Sequence, residues 1–284
     1  MMEVAKTIAS VRGKVKAARG RDRKIGLVPT MGALHIGHIA LIERAVKECS
    51  FVVVSIFVNP TQFCPGEDLE KYPCPLEADL ETCEKAGVDL VFTPTTEQMY
   101  GTANLTWVTV EKLTEPLCGR FRPGHFRGVT TICAKLFNIV QPDIAYFGQK
   151  DGQQAIVIKK MVADLNMPLE IVVCPTVREP NGLAVSSRNQ YLTEQQKKDA
   201  TLIYKSLQNC KEMVEDGITD TKSIIAQMRE ILNQAPAIEI EYVSILDAAT
   251  LQEIDSVDRQ VLAAVAVRLG QARLIDNILL DAKK

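Results

Sequence analysis

Val28-Pro29-Thr30-Met31-Gly32-Ala33-Leu34-His35-Ile36-Gly37-His38 is the stretch whose reading decides the fold. It grows out of the apolar run Ile25–Pro29, a short strand by its composition. It leads into a segment from His35 to Ser50 in which Ile39, Ile42, Ala45 and Val46 recur at helical spacing. A strand, a glycine-bearing turn and a helix in that order open a parallel sheet, and such sheets bind ligands beyond their carboxyl edge. Gly32 permits a tight turn and Gly37 lets a ligand approach the backbone. His35 and His38, three apart, fall on one helical face near its positive end, where two imidazoles can donate hydrogen bonds to phosphate oxygens. The alternatives are a metal pair or ordinary surface histidines. A zincin helix would need His-Glu-x-x-His, whereas Ile36 and Gly37 stand between these two rings.

Working outward, the alternation continues for two thirds of the chain. Phe51–Val58 is a β-branched run suited to a strand buried on both faces, and Leu76–Ala86 reads as a helix stopped by Gly87 before the strand Asp89–Thr93. A helix over Val129–Val140, a strand over Ile144–Phe147, a helix over Gln153–Leu165 and a strand over Leu169–Cys174 complete the series. The character then changes. Thr193 with Gln196 forms a capping box that starts a helix to about Asp216. A second helix spans Thr221–Ala235, followed by strand-like runs Glu239–Leu246, Gln260–Leu269 and Arg273–Leu280. The pattern predicts an α/β protein: a Rossmann-like parallel-sheet domain over residues 1–176, then a smaller α+β domain over residues 177–284.

Composition excludes several classes. With 284 residues, 33 Lys plus Arg against 35 Asp plus Glu and a formal charge of −2, the chain lacks the basic excess of a nucleic-acid binder. A hydrophobic fraction of 46% fits a soluble globular protein. The longest apolar runs, Phe51–Val58 and Val261–Val267, are too short to cross a bilayer. No export signal opens the chain, and the eight cysteines are scattered without a C-x-x-C pair, as in a reduced cytoplasmic protein.

Further candidates lie on the same predicted edge. Lys150 follows the strand Ile144–Phe147 and can reach a triphosphate as a point charge. Ser186-Ser187-Arg188 offers two hydroxyls and a guanidinium on a loop between the predicted domains. Gln62 and Gln154 are uncharged groups able to both donate and accept hydrogen bonds, and since Gln153 and Gln154 are neighbours on a helix start, one should face the site and the other away. The loop Phe63–Pro75 is long enough to act as a flap, and Asp79 reads as a solvated first-turn acid.

His-Ile-Gly-His resembles the HxGH signature of the nucleotidyl-transferring superfamily that includes class I aminoacyl-tRNA synthetases. The flanking segments narrow this: Pro29–His35, Phe57-Val58-Asn59-Pro60-Thr61-Gln62-Phe63, Arg122-Pro123-Gly124-His125-Phe126-Arg127-Gly128, Phe147–Gln154 and Ser186-Ser187-Arg188-Asn189 resemble, in order, the pantoate–β-alanine ligase family. The resemblance implies ATP-dependent condensation of (R)-pantoate with β-alanine through pantoyl adenylate, releasing pyrophosphate and AMP. It implies ATP contacts from Met31, Gly32, Ala33, Leu34, His35, Ile36, Gly37 and His38, from Gly148, Gln149, Lys150 and Asp151, and from Val177, Val185, Ser186, Ser187 and Arg188. His38 would be the proton donor, and Gln62 and Gln154 would hold pantoate. It further implies Mg²⁺ carried mainly by ATP with protein ligands unassigned, a homodimer, and no nucleic-acid or membrane partner. His125 and Arg127 are second-choice residues for the pocket or a subunit contact. The chain departs from the family pattern at Gln149, Gly152 and Val185, and none of these removes a predicted contact group. Two other readings compete. Another HxGH nucleotidylyltransferase would leave AMP on its product; a silent nucleotide-binding protein would dispense with His35, His38, Lys150 and Arg188.

Overall fold

The computed structural model describes residues 1–282. Strand β1 (Glu3–Ala5) and helix α1 (Ile8–Arg19) precede β2 (Ile25–Thr30), α2 (Ile36–Glu48) and β3 (Phe51–Ile56). Helix α3 (Leu76–Lys85), β4 (Leu90–Phe92), α4 (Thr96–Tyr100), α5 (Cys118–Phe121) and α6 (His125–Val140) follow. Next come β5 (Ile144–Gly148), α7 (Gly152–Asp164) and β6 (Glu170–Cys174). The six strands form one parallel sheet in the order β1-β4-β3-β2-β5-β6.

Winding reverses between the neighbours β2 and β5, and the helices that follow them take opposite faces. Leu41, Ile42 and Ala45 of α2 pack with Val28, Val52, Val54 and Tyr146 on one side. Ile158 and Met161 of α7 join α1 and α6 against Leu27, Val53 and Phe147 on the other. A crevice therefore opens at the carboxyl ends of β2 and β5, the expected ligand position in such a sheet.

The rest of the chain builds a second unit. Helices α8 (Glu194–Glu215) and α9 (Thr221–Leu232) cover an antiparallel sheet of β7 (Ile238–Asp247), β8 (Val261–Leu269) and β9 (Ala272–Leu280) in that order. The Thr193–Gln196 capping box is formed at the start of α8. All eight cysteines are free, and six of them are buried.

Four features differ from the sequence reading. The segment before Ile25 holds a strand and a capped helix, with Thr7 Oγ1 accepting from the Ser10 amide. Helix α6 starts at His125, one turn before Val129. His35 lies outside α2 as its N-cap. Asp79 is not solvated: it is 2% exposed and turned toward the β2–α2 loop.

The second core tests simply. Met228 of α9 is fully buried, so Met228→Ala should cost about 2–5 kcal/mol in urea unfolding. Leu165 is 53% exposed, and Leu165→Ala should stay within about 0.5 kcal/mol.

Candidate active site

The β2–α2 turn is built around one carboxylate. Asp79 on α3 accepts from the Ala33 amide (2.9 Å) and the Leu34 amide (2.8 Å). Gly32 has φ of +82°, and a Cβ there would stand 2.9 Å from Asp79 Oδ2, so both backbone and space require glycine. Thr30 Oγ1 accepts from the Gly32 amide and donates to the Ser55 carbonyl, which ties the turn to β3.

The two imidazoles are then fixed by the backbone. His35 Nδ1 accepts from the Gly37 amide (3.2 Å), and His38 Nδ1 accepts from the His35 amide (3.3 Å), a capping box made of histidines. The glycine at 37 has a local purpose: it lines the crevice, and a Cβ there would stand 3.0 Å from the His35 ring, so glycine makes room for the cap. With both Nδ1 atoms accepting, each neutral ring carries its proton on Nε2. Burial, then the charge of Lys150, lowers the His35 pKa to about 4. Burial, then His35 itself, lowers that of His38 to about 3. The ring centroids are 4.0 Å apart, and two neutral N–H donors line the crevice at neutral pH.

Lys150 reaches the same crevice from the single 3-10 turn after β5, with Gly148 and Asp151 also on the wall. Val177, Val185, Ser186, Ser187 and Arg188 close the opposite side. Val177 and Val185 pair across a hairpin of residues 177–185, in which the Val185 amide bonds the Val177 carbonyl, and Ser186–Arg188 follow it directly. Arg188 pairs with Asp68 at 3.0 Å, and Tyr72 bonds Ser187, so the Phe63–Pro75 loop spans the mouth of the crevice.

Met31, Gln62 and Gln154 line the wall next to Val129 and Ile132. The neighbouring Gln153 points away, bonding the Cys118 amide and the Leu113 and Pro116 carbonyls. Gly32, Ala33, Leu34 and Ile36 shape the turn without lining the cavity, and Ile36 is 60% exposed. The Gln149 side chain leaves the crevice for Asn277 on β9.

Sequence reasoning missed the support of Gln62. Asn59, 1% exposed, donates to Gln62 Oε1 (3.1 Å) and the Gly128 carbonyl, and accepts from Tyr100 Oη (2.7 Å). The signal was its place three residues after β3, inside the Phe57–Phe63 segment. His125 Nδ1 donates to the Gln62 carbonyl (2.7 Å) while its Nε2 accepts from Arg122. Arg122 in turn holds Glu67 of the Phe63–Pro75 loop. Arg127 instead stacks over Trp107 at 4.6 Å, away from the pocket. Among the described residues, no group of three or more His, Cys, Asp or Glu could hold a metal ion, and no helix is long and apolar enough to cross a membrane.

A doubly covered parallel sheet with a His-x-Gly-His turn at its reversal point defines an α/β protein of the Rossmann-like class. Comparison narrows the class. The family model described as pantoate-beta-alanine ligase matches residues 3–279, and the chain belongs to that family. It is 52% identical over 280 residues to a pantothenate synthetase of Moorella thermoacetica, covering 99% of each chain. The crystal structure of pantothenate synthetase from Thermus thermophilus superposes with a TM-score of 0.93 at 44% identity, over 98% of this chain and 99% of that one. The ligase of Francisella tularensis, solved with beta-gamma ATP and beta-alanine, gives 0.81 at 34% identity, with 98% of each covered.

The turn and the rings each yield a measurable outcome. Asp79→Ala strands two turn amides and should cost about 1–3 kcal/mol of stability in urea, with weaker ATP binding by calorimetry. The third histidine, His125, is likewise lowered by burial, then by Arg122, to about 4. The unfolded chain therefore takes up protons first. Unfolding free energy should be full above pH 6.5 and fall as pH drops toward 4, by at most about 1.4 kcal/mol per pH unit per ring. Replacing all three with Asn should flatten that slope.

Proposed function

We propose that the chain joins (R)-pantoate to β-alanine at the expense of ATP, with the site residues acting as follows. A pantoate carboxylate oxygen attacks the α-phosphorus of ATP, the bond to pyrophosphate breaks, and pantoyl adenylate forms. The β-alanine amine then attacks the acyl carbon, and AMP leaves as the amide forms. The observation that carries this reading is one crevice that holds two neutral imidazoles, an ammonium and two glutamines at the sheet's reversal point.

His35 and His38 donate through Nε2 to phosphate oxygens, which keeps the donors in place without adding like charge beside Lys150. The ammonium of Lys150 offsets charge growing at the phosphorus. Ser186, Ser187 and Arg188 take the departing pyrophosphate, and Val177 and Val185 border the adenine. Gln62, oriented by Asn59, and Gln154 hold the pantoate hydroxyls and carboxylate beside the aliphatic wall of Val129 and Ile132.

Mg²⁺ would be carried mainly by the ATP phosphates. Asp151, half-exposed on the wall with its Oδ1 3.9 Å from Lys150 Nζ, would be the carboxylate to meet the ion, while Asp68 is engaged by Arg188. Bound Mg²⁺ would neutralise phosphate charge. We place the functional division at residues 1–176, which carry both substrates' pockets, and 177–284, which bring the serine–arginine loop. A cytoplasmic homodimer completes the reading.

The direct test supplies ATP, Mg²⁺, pantoate and β-alanine and assays pantothenate. Free AMP should appear only with both organic substrates, whereas AMP retained on the product would favour a nucleotidylyltransferase. Lys150→Ala and His38→Ala should each slow pyrophosphate release by about 10²–10³-fold. Gln62→Ala should raise the KM for pantoate while ATP binding persists.

A further inference from the structure

Lys150 stands on a turn of only three residues, Gln149–Asp151, and its placement depends on what holds that turn. The holder comes from the other sheet. Asn277 on β9, 6% exposed, donates both hydrogens of Nδ2, one to the Gln149 carbonyl (2.9 Å) and one to the Lys150 carbonyl (2.8 Å). Its Oδ1 accepts from Gln149 Nε2 at 2.7 Å. Every donor of this amide is used, and the two carbonyls fix which end is nitrogen.

Gly152 completes the fit. A Cβ there would stand 2.6 Å from Asn277 Oδ1 and 3.0 Å from Gln149 Nε2, so a larger residue would push the amide away. Two departures from the family pattern, Gln149 and Gly152, thus converge on one contact. The preceding residue holds the opposite wall. Asp276, 3% exposed, accepts from Arg178 Nη1 (2.5 Å) and Nη2 (3.0 Å) and from the Asn277 amide (2.8 Å). Arg178 lies on the hairpin that delivers Ser186–Arg188, and its guanidinium stacks 3.8 Å over Tyr204.

We infer that Asn277 is a positioning residue for Lys150, and that the Asp276–Asn277 pair sets the distance between the lysine turn and the serine–arginine loop. This rests on the ligase reading above. Asn277 touches no substrate; it acts through the lysine.

The test is a double-mutant cycle on pyrophosphate release from ATP and pantoate, with ATP affinity measured by calorimetry. Asn277→Ala should slow release by about 10–100-fold, with a near-normal KM for pantoate. In a Lys150→Ala background the same change should add little, because the group it positions is gone. Asn277→Asp, which sets a carboxylate against two carbonyls, should be worse than alanine. Gly152→Ala provides a second route should Asn277→Ala fail to fold. An unchanged release rate, or an equal loss with and without Lys150, overturns the inference. A wild-type chain that binds ATP but releases no pyrophosphate with pantoate defeats the ligase reading alone. The cycle is then scored on ATP affinity, where additive losses overturn the positioning role and non-additive losses sustain it.

Discussion

A parallel sheet cannot turn back on itself locally, and that constraint organises this protein. Each strand must hand the chain to a crossover, so each carboxyl end carries a loop aimed at solvent. Where β2 and β5 lie side by side, α2 and α7 depart to opposite faces, and the two loops face each other across a gap no helix fills. The histidine turn and the lysine turn occupy those loops. Their meeting is a property of strand order before it is a property of any side chain.

What the loops present is set by burial. All three histidines of the chain are held well below their ordinary pKa, so the crevice is lined by neutral donors, and Lys150 supplies charge. Arg188 pairs with Asp68 through Nη2, and although burial works to lower its pKa, the neighbouring Asp68 carboxylate raises it on balance. That ion pair ties the Phe63–Pro75 loop to the segment that follows the 177–185 hairpin.

The larger elements were legible because periodicity and turn residues agree over long segments: β2, β3, β5, α8 and the final three strands. The N-terminal β1 was not, since three residues carry no periodic signal. Asp79 was misread because a carboxylate in a first helical turn is usually solvated; its role depends on α3 packing beside a turn 45 residues earlier, which no local pattern reveals. Gly37 was legible as a required glycine, but its neighbour is the His35 ring. Asn277 was invisible for the same reason as Asp79: its partners lie 127 and 128 residues away. Sequence motifs supplied the groups lining the crevice, and tertiary contact supplied what orients them.

Trp107, the sole indole of the chain, lies 6.5 Å from the Tyr100 ring and beneath the Arg127 guanidinium. Tyr100 donates to Asn59, and Asn59 orients Gln62. The protein thus carries an intrinsic fluorophore one ring contact and two hydrogen bonds from the glutamine on the pocket wall, with no competing tryptophan emission. Shifts in that wall are open to direct optical observation in the unlabelled chain.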